Sequence, residues 1–413
     1  MLLIPYKKLD FSQTKVSIMY KRAIIDKVMK YIDTKQCLVI YGSRQVGKTT
    51  ALKYIMDHYL KENVFYFDME LQSLLELCNN GVEHVYTYLL QKGADKNKKI
   101  YLIIDEVQYI QNPTNFIKIC HDHYPQIKLL VSGSSTFEIK KKFKESLVGR
   151  TIVFELYGLT FEEFLTFKNK KYIIHKENST TINKELIPLA EEYVKYGAYP
   201  QIVLEENEEK KETYLWQIIN TYVRKDIQDI GKVRNVAAFN KLLQLLASQS
   251  GQILNVLEIA NTLAMSRETV LEYIQLLENT FIIKRVSPFH KNLRSELSKN
   301  PKVFLLDTGM LHLLWLREFP KNILGNVFET FVYLELMKAQ KEIYFWRTKQ
   351  KQEIDFIVTG KILCAIEAKY QFKDKKRTCL PFFEKQYPCK TVVVALKGEK
   401  TGKYPWEFIR ELE

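Results

Sequence analysis

Cysteine is scarce in this chain, at 6 of 413 residues, and no two form a C-x-x-C pair. That excludes a structural zinc site of the familiar spacing and a disulfide framework, and it fits a reducing cytosol. No run of about 18 apolar residues is present, which argues against a membrane-spanning helix. The opening MLLIPYKKLD carries too short an apolar run for a signal peptide. The expected setting is therefore cytoplasmic, with no membrane contact. Arginine is also scarce, at 12 of the 62 basic residues. The formal charge is nonetheless +14, which draws phosphates and hence nucleic acid or anionic lipid. A Lys-, Tyr-, Phe- and Ile-rich composition also arises from an AT-rich genome, so charge alone leaves nucleic-acid contact open.

What is present is enough apolar side chain, 46%, to build two to four cores. The first third alternates apolar strand-length runs with helical patterns, as a parallel α/β sheet does. QCLVIY (36–41) is followed by GSRQVGKTT and a helical pattern to about Leu60. The stretch Gly42-Ser43-Arg44-Gln45-Val46-Gly47-Lys48-Thr49-Thr50 has the complete P-loop spacing between a strand and a helix. Such a loop needs its glycines so that backbone N–H groups can wrap phosphates. Lys48 reaches the β- and γ-phosphates, and the Thr49 hydroxyl binds Mg²⁺. A second strand, IYLII (100–104), ends in Asp105-Glu106. Ligands sit at the carboxyl ends of such strands. Asp105 would hold Mg²⁺ through water and Glu106 would polarise the attacking water. The strand at Lys128–Val131 ends in Ser132-Gly-Ser134-Ser, where Ser132 or Ser134 is a candidate γ-phosphate sensor or a plain polar turn. Arg150 is a candidate arginine finger or a surface ion pair.

Farther on, Lys168–Lys184 is polar and lysine-rich and reads as a loop. Helical patterns follow, with Gly197, Gly231 and Gly251 as stops. Val256–Leu263, a turn capped by Ser266, and Arg267–Asn279 make a helix-turn-helix pattern, and Phe281–Val286 is a candidate wing strand. The second helix exposes Arg267 against Glu268, Glu272 and Glu278, which is poor electrostatics for a major groove. Lys284, Arg285, Lys291, Arg294, Lys299 and Lys302 make the following stretch basic. A winged helix used for domain packing, touching phosphate through its wing, is expected.

In the order GSRQVGKTT, YLIIDEVQ, LVSGSS, LVGRTIVFELYGLTFEEF, YGAYPQIV, TYVRKDI, VFLLDTG and EIDFIV…IEAKY, the chain resembles the predicted AAA-type ATPases of bacteria and archaea. There a P-loop ATPase is joined to a winged helix and a C-terminal domain of unknown function. The resemblance implies ATP as nucleotide, with Lys48, Thr49, Asp105 and Glu106 at its site. Where that family often has Gly-Gly-Tyr-Pro, this chain has Gly197-Ala198-Tyr199-Pro200.

EIDFIVTGKILCAIEAKY (353–370) reads as a hairpin. A three-residue turn at Thr359-Gly360-Lys361 pairs Val358 with Ile362 and puts Ile354, Phe356, Val358, Ile362, Cys364, Ile366 and Ala368 on one apolar face. Glu353 then opposes Glu367, a like-charge pair that needs an offset. Asp355-x(11)-Glu367-x-Lys369 is also the pattern of the restriction-endonuclease-like fold. There the acids hold Mg²⁺ and the lysine stabilises charge or positions water. Glu329 or Glu335, on an amphipathic helix Asn326–Lys338, would add an acid, and Arg347 lies on the intervening strand. The default alternative is a sheet with one solvated polar face.

The expected architecture is α/β: a P-loop AAA-type domain (1–165), a helical region (166–250), a winged helix (251–300) and a restriction-endonuclease-like C-terminal domain (301–413). The leading function is an ATP-binding, ATP-hydrolysing switch with Mg²⁺ as cofactor, whose nuclease-like module acts on or binds nucleic acid through its phosphates. The alternatives are a regulatory ATPase whose degenerate C-terminal domain holds a protein partner, and a nucleic-acid-binding module without turnover. A homo-oligomer is required if Arg150 or Arg224 acts in trans.

Overall fold

The apolar run after Gln36 becomes strand β1, Cys37–Gly42, buried along its whole length. A strand without a polar face needs cover on both sides, which a parallel sheet with crossover helices supplies. The structure, a computed structural model, describes residues 19–134, 147–222, 233, 235–289, 300–348, 350–360, 362–372 and 379–412. The chain divides into two units, Met1–Tyr157 and Gly158–Glu413.

In the first unit the order is α1 (Ala23–Met29), β1, α2 (Lys48–Tyr59), β2 (Val64–Asp68), α3 (Gln72–Asn79), α4 (Val82–Gln91), β3 (Ile100–Asp105), α5 (Pro113–His123), β4 (Ile127–Ser134) and β5 (Thr151–Glu155). The strands form the expected parallel sheet, in the order β2-β3-β4-β1-β5. Both β1 and β3 therefore end beside β4, on the edge where such sheets bind ligands.

The second unit opens with helices α6 (Phe161–Phe167), α7 (Thr180–Tyr196), α8 (Pro200–Leu204), α9 (Glu208–Tyr222) and α10 (Val236–Ser248). Gly197 does stop α7, in a left-handed conformation at φ 86°. Strand β6 (Gln252–Ile253) and helices α11 (Val256–Leu263) and α12 (Arg267–Asn279) follow, with bounds that match the helix-turn-helix pattern. The Ser266 hydroxyl accepts from the Thr269 N–H at 3.1 Å, so it is the cap. Strands β7 (Ile283–Val286) and β8 (Lys302–Leu305) complete a small antiparallel sheet, β6-β8-β7. Then come α13 (Thr308–Trp315), α14 (Gly325–Lys338), β9 (Glu342–Arg347), β10 (Glu353–Thr359), β11 (Cys364–Gln371), α15 (Leu380–Gln386), β12 (Lys390–Lys397) and α16 (Pro405–Leu412). The second sheet runs β12-β11-β10-β9, with β9, β10 and β11 antiparallel and β12 parallel to β11.

Two expectations about this sheet are corrected. Helix α14 is not amphipathic: Val327, Phe328 and every residue from Thr330 to Leu336 are buried, so it is a core element with cover all round. The hairpin register is also shifted by two, because Val358 pairs with Cys364 rather than Ile362, and Ile362 stands 70% exposed in the turn. An extra residue bulges β10 between Ile354 and Ile357. Ile354 consequently shares a face with Ile357, in a cluster with Trp346, Ala365, Leu380 and Phe383. Phe356 faces the other way, against Phe304 and Tyr333. Both faces of the hairpin therefore carry buried apolar side chains.

His312 on α13 gives this unit a pH limit. It is fully buried, its Nδ1–H donating to the Lys195 carbonyl at 2.9 Å. Burial lowers its pKa from 6.5 to about 4. Above pH 6.5 the ring is neutral whether the chain is folded or not. As pH falls, the unfolded chain takes up a proton that the folded chain refuses until about pH 4, so stability is lost across that window. The loss is about 3 kcal/mol by pH 4. His312→Asn keeps a donor for Lys195 and cannot titrate. Urea melts of this variant should show a flatter acid limb, and an unchanged limb would assign the loss to other groups.

Candidate functional site

Between β1 and α2 the chain turns through two left-handed residues, Gln45 (φ 61°) and Gly47 (φ 94°). Gly47 suits that geometry because it has no Cβ. Gly42 is needed for a different reason, since a Cβ there would land on the Leu156 carbonyl oxygen. Lys48 opens α2 and is 5% exposed. Its ammonium donates to the carbonyls of Gly42 (3.2 Å) and Ser43 (2.9 Å), folding the side chain back over the loop. Thr49 and Thr50 lie in the first turn of α2, and Arg44 lies beside the Tyr109 hydroxyl. Sequence reasoning missed Arg22. It donates to the carbonyls of Val46 (2.8 Å) and Tyr157 (2.9 Å) and so pins the loop from beneath. Nothing in the spacing of Arg22, twenty residues before the loop, marks it for this.

Asp105 ends β3 and is 3% exposed. Its carboxylate accepts from the Tyr66 hydroxyl at 2.9 Å, from Ser132 Oγ and from the Glu106 N–H at 3.2 Å. Burial and then the Asp105 charge hold the Tyr66 phenol above its ordinary range. Ser132 is thus committed to Asp105. The backbone of Ser134 pairs with Gly42, but its side chain, like Arg224, lies outside the described residues. Glu106 follows with φ 55°, a left-handed conformation that a non-glycine residue adopts at a cost. Its carboxylate accepts from Gln108 Nε2. The donor set of hydroxyl and carboxylate oxygens, Thr49 and Asp105, suits a hard divalent cation.

Arg150 does not reach this site in its own chain. It precedes β5, which pairs with β1 from Cys37↔Thr151 onward, so it sits at the opposite edge of the sheet. That is about 16 Å of strand from Gly42. Its Nε and Nη2 grip Asp122 at 3.0 and 2.9 Å. Hydrogen bonds from Arg150 and then His121 hold the Asp122 carboxyl well below the usual range. Arg150 is an ion pair at the far edge of the sheet.

In the second unit the acids meet a lysine. Asp355, at the bulge of β10, accepts from the Ala368 N–H at 2.8 Å. Glu367 accepts from the Cys379 N–H at 3.1 Å, Lys369 lies 3.8 Å from its other oxygen, and the charges of both act on Asp355. Glu353 does not oppose Glu367. It pairs with Lys302 at 2.6 Å and Arg347 at 3.4 Å. Lys302, its side chain 1% exposed, also meets Glu329 at 2.8 Å. Burial lowers the Lys302 pKa, but the charges of Glu329, Asp355 and Glu353 outweigh it and hold Lys302 above its ordinary range. Burial likewise pushes the Glu329 and Asp355 carboxyls up, with Lys302 pulling against it. Glu335, the other candidate acid, accepts instead from Tyr193 and Phe161. Among the described residues no three His, Cys, Asp or Glu side chains are arranged to hold a metal ion.

Two residues of the basic stretch are paired with acids. Lys302 is buried as above, and Arg285 pairs with Glu278 at 2.6 Å. Lys291, Arg294 and Lys299 lie outside the described residues. No described helix is long and apolar enough to cross a membrane.

Residues 34–165 match a family model described as an AAA domain. Residues 187–321 and 324–407 match two domains of unknown function, DUF8612 and DUF4143. An uncharacterized protein of Methanocaldococcus jannaschii is 26% identical over 347 residues, covering 82% of this chain and 76% of the relative. One of Haemophilus influenzae is 26% identical over 343 residues, covering 81% and 82%. Among solved structures, a signal-transduction ATPase with a tetratricopeptide-repeat sensor from Pyrococcus horikoshii matches at a TM-score of 0.30 and 15% identity. That match covers 79% of this chain and 46% of the other. The loop geometry and the match over 34–165 agree in placing an AAA-type P-loop domain in the first unit.

Proposed function

We propose that this chain is an ATP-hydrolysing switch. ATP and Mg²⁺ bind at the loop of the first unit, and the second unit carries the output. The observation that carries the reading is Lys48 folded over the carbonyls of Gly42 and Ser43 at the end of β1. In this reading the loop N–H groups and the α2 N-terminus cradle the phosphates. Lys48 neutralises the β- and γ-oxygens, Thr49 and Asp105 hold Mg²⁺, and Glu106 orients the attacking water. Ser132 and Tyr66 fix the Asp105 carboxylate so that it need not reorganise.

The output module is read as restriction-endonuclease-like and as binding nucleic acid through its phosphates. Support comes from Asp355 on a bulged strand, Glu367 and Lys369 on the next, Glu329 from the preceding helix, and the formal charge of +14. The helix-turn-helix pair α11 and α12 and the small sheet behind them support a winged helix that packs rather than reads sequence. A second reading is a regulatory ATPase whose C-terminal module holds a protein partner. It is favoured by the pairing of Glu329 and Glu353 with Lys302.

Lys48→Ala should lose ATP binding, measured by calorimetry, while melting as wild type. Retardation of DNA that fades steeply with salt would support the nucleic-acid output. Its absence at low salt would leave the protein-partner reading.

A further inference from the structure

The restriction-endonuclease-like reading calls for a divalent cation among the C-terminal acids, and the residues there do not fit one. Two carboxylates, Glu329 from α14 and Glu353 from β10, meet one ammonium, and the charge of Asp355 on β10 also acts on it. A divalent ion would have to displace what already neutralises them. Lys302, on β8, brings its ammonium to 2.8 Å from Glu329 and 2.6 Å from Glu353. Its stem runs through the core, so that 1% of the side chain meets solvent, and its charge lies 5.6 Å from the centre of the Phe345 ring. An ammonium so placed has no room to swing out to water. Glu367, which the sequence pattern assigns as the second metal ligand, spends one oxygen on the Cys379 N–H.

We propose that the Lys302 ammonium is a built-in cation standing where a divalent metal would stand, so that the C-terminal module engages its ligand without metal-dependent cleavage. Its role is architectural. Lys302 belongs to the small β6-β8-β7 sheet, while Glu353 and Asp355 belong to the larger one. The ion pairs therefore lock the two sheets together with a cation that cannot dissociate. A metal would make the same lock depend on its concentration; the lysine removes that dependence.

The inference rests on the restriction-endonuclease-like reading for the position of the metal, and it has its own test. Full-length, nucleotide-free protein is titrated with Mn²⁺ and followed by electron paramagnetic resonance and by thermal unfolding. Wild type should bind no Mn²⁺ that Asp355→Asn removes, and its Tm should move by less than about 1 °C. Lys302→Met, which leaves the carboxylates without their cation, should melt lower and regain about 5–10 °C in saturating Mn²⁺. Lys302→Arg, which keeps a cation, should not respond. Wild-type Mn²⁺ binding that Asp355→Asn abolishes would overturn the proposal, as would a Lys302→Met protein indifferent to Mn²⁺. If Lys302→Met does not fold, the comparison of wild type with Asp355→Asn decides alone. DNA cleavage by wild type, abolished by Asp355→Ala, would sink the proposal and leave the nuclease-like reading standing. Absence of DNA retardation would sink nucleic-acid binding and leave the Mn²⁺ result untouched.

Discussion

Glu106→Gln should lower the turnover number for ATP by about 10²–10⁴-fold, the range that a positioned general base contributes. ATP binding should survive. The substitution keeps the shape of the side chain and its tolerance of the left-handed backbone at φ 55°. It also keeps an oxygen that can accept from Gln108, which holds Glu106 in this structure. Only the charge that would polarise water is lost. Phosphate release at saturating ATP measures the first effect, and calorimetry the second. Turnover at the wild-type rate would place the base elsewhere. Loss of binding together with turnover would mean that the left-handed turn had collapsed, which a melt would show. Lys48→Ala provides the contrast, because it removes the group that neutralises phosphate in both ground and transition states.

The nucleotide loop was legible in the sequence because its chemistry is local. Nine consecutive residues between a strand and a helix set the backbone path, and the strand end at Asp105 lies beside it by sheet topology. Arg22, Tyr66 and Gln108 were not legible, because each acts through a contact that its own spacing does not encode. The C-terminal hairpin shows a subtler limit. Burial of one face fixes strand register only modulo two, since a shift of two residues leaves every side chain on the same face. The pairing of Val358 with Ile362 and the observed pairing with Cys364 satisfy that rule equally, and the longer turn decides between them. The bulge at Asp355 then moves Ile354 to the other face, which no alternation pattern announces. Lys302 reads in sequence as one more basic residue near a wing. It is buried because three acids await it, two of them some fifty residues downstream.

A second large effect is expected at α14, where the other candidate acid proves structural. Lys338 donates to the Leu159 carbonyl at 2.7 Å, the Tyr193 hydroxyl at 2.6 Å and Glu335 at 3.1 Å. Glu335 in turn accepts from Tyr193 at 2.9 Å and from the Phe161 N–H at 3.0 Å. Both charges are almost wholly buried, with side-chain exposures of 4% and 7%. Lys338→Met removes one partner and strands the other charge in the core, which costs about 3–5 kcal/mol. For a domain of this size that is a fall in Tm of roughly 6–20 °C. Glu335→Leu combined with Lys338→Met removes both charges. The Tyr193 hydroxyl keeps the Leu159 carbonyl as acceptor, so the buried group left without a partner is the Phe161 N–H. The double variant should therefore lose only about 1–3 kcal/mol, less than Lys338→Met alone. Phe161 opens α6, whose first turn also carries the reciprocal bonds of Thr160 and Glu163. Hydrogen exchange at the Phe161 amide should accelerate in the double variant while α14 stays protected. A double variant that loses more than Lys338→Met would show that the ion pair itself stabilises the core, beyond sparing each charge its burial.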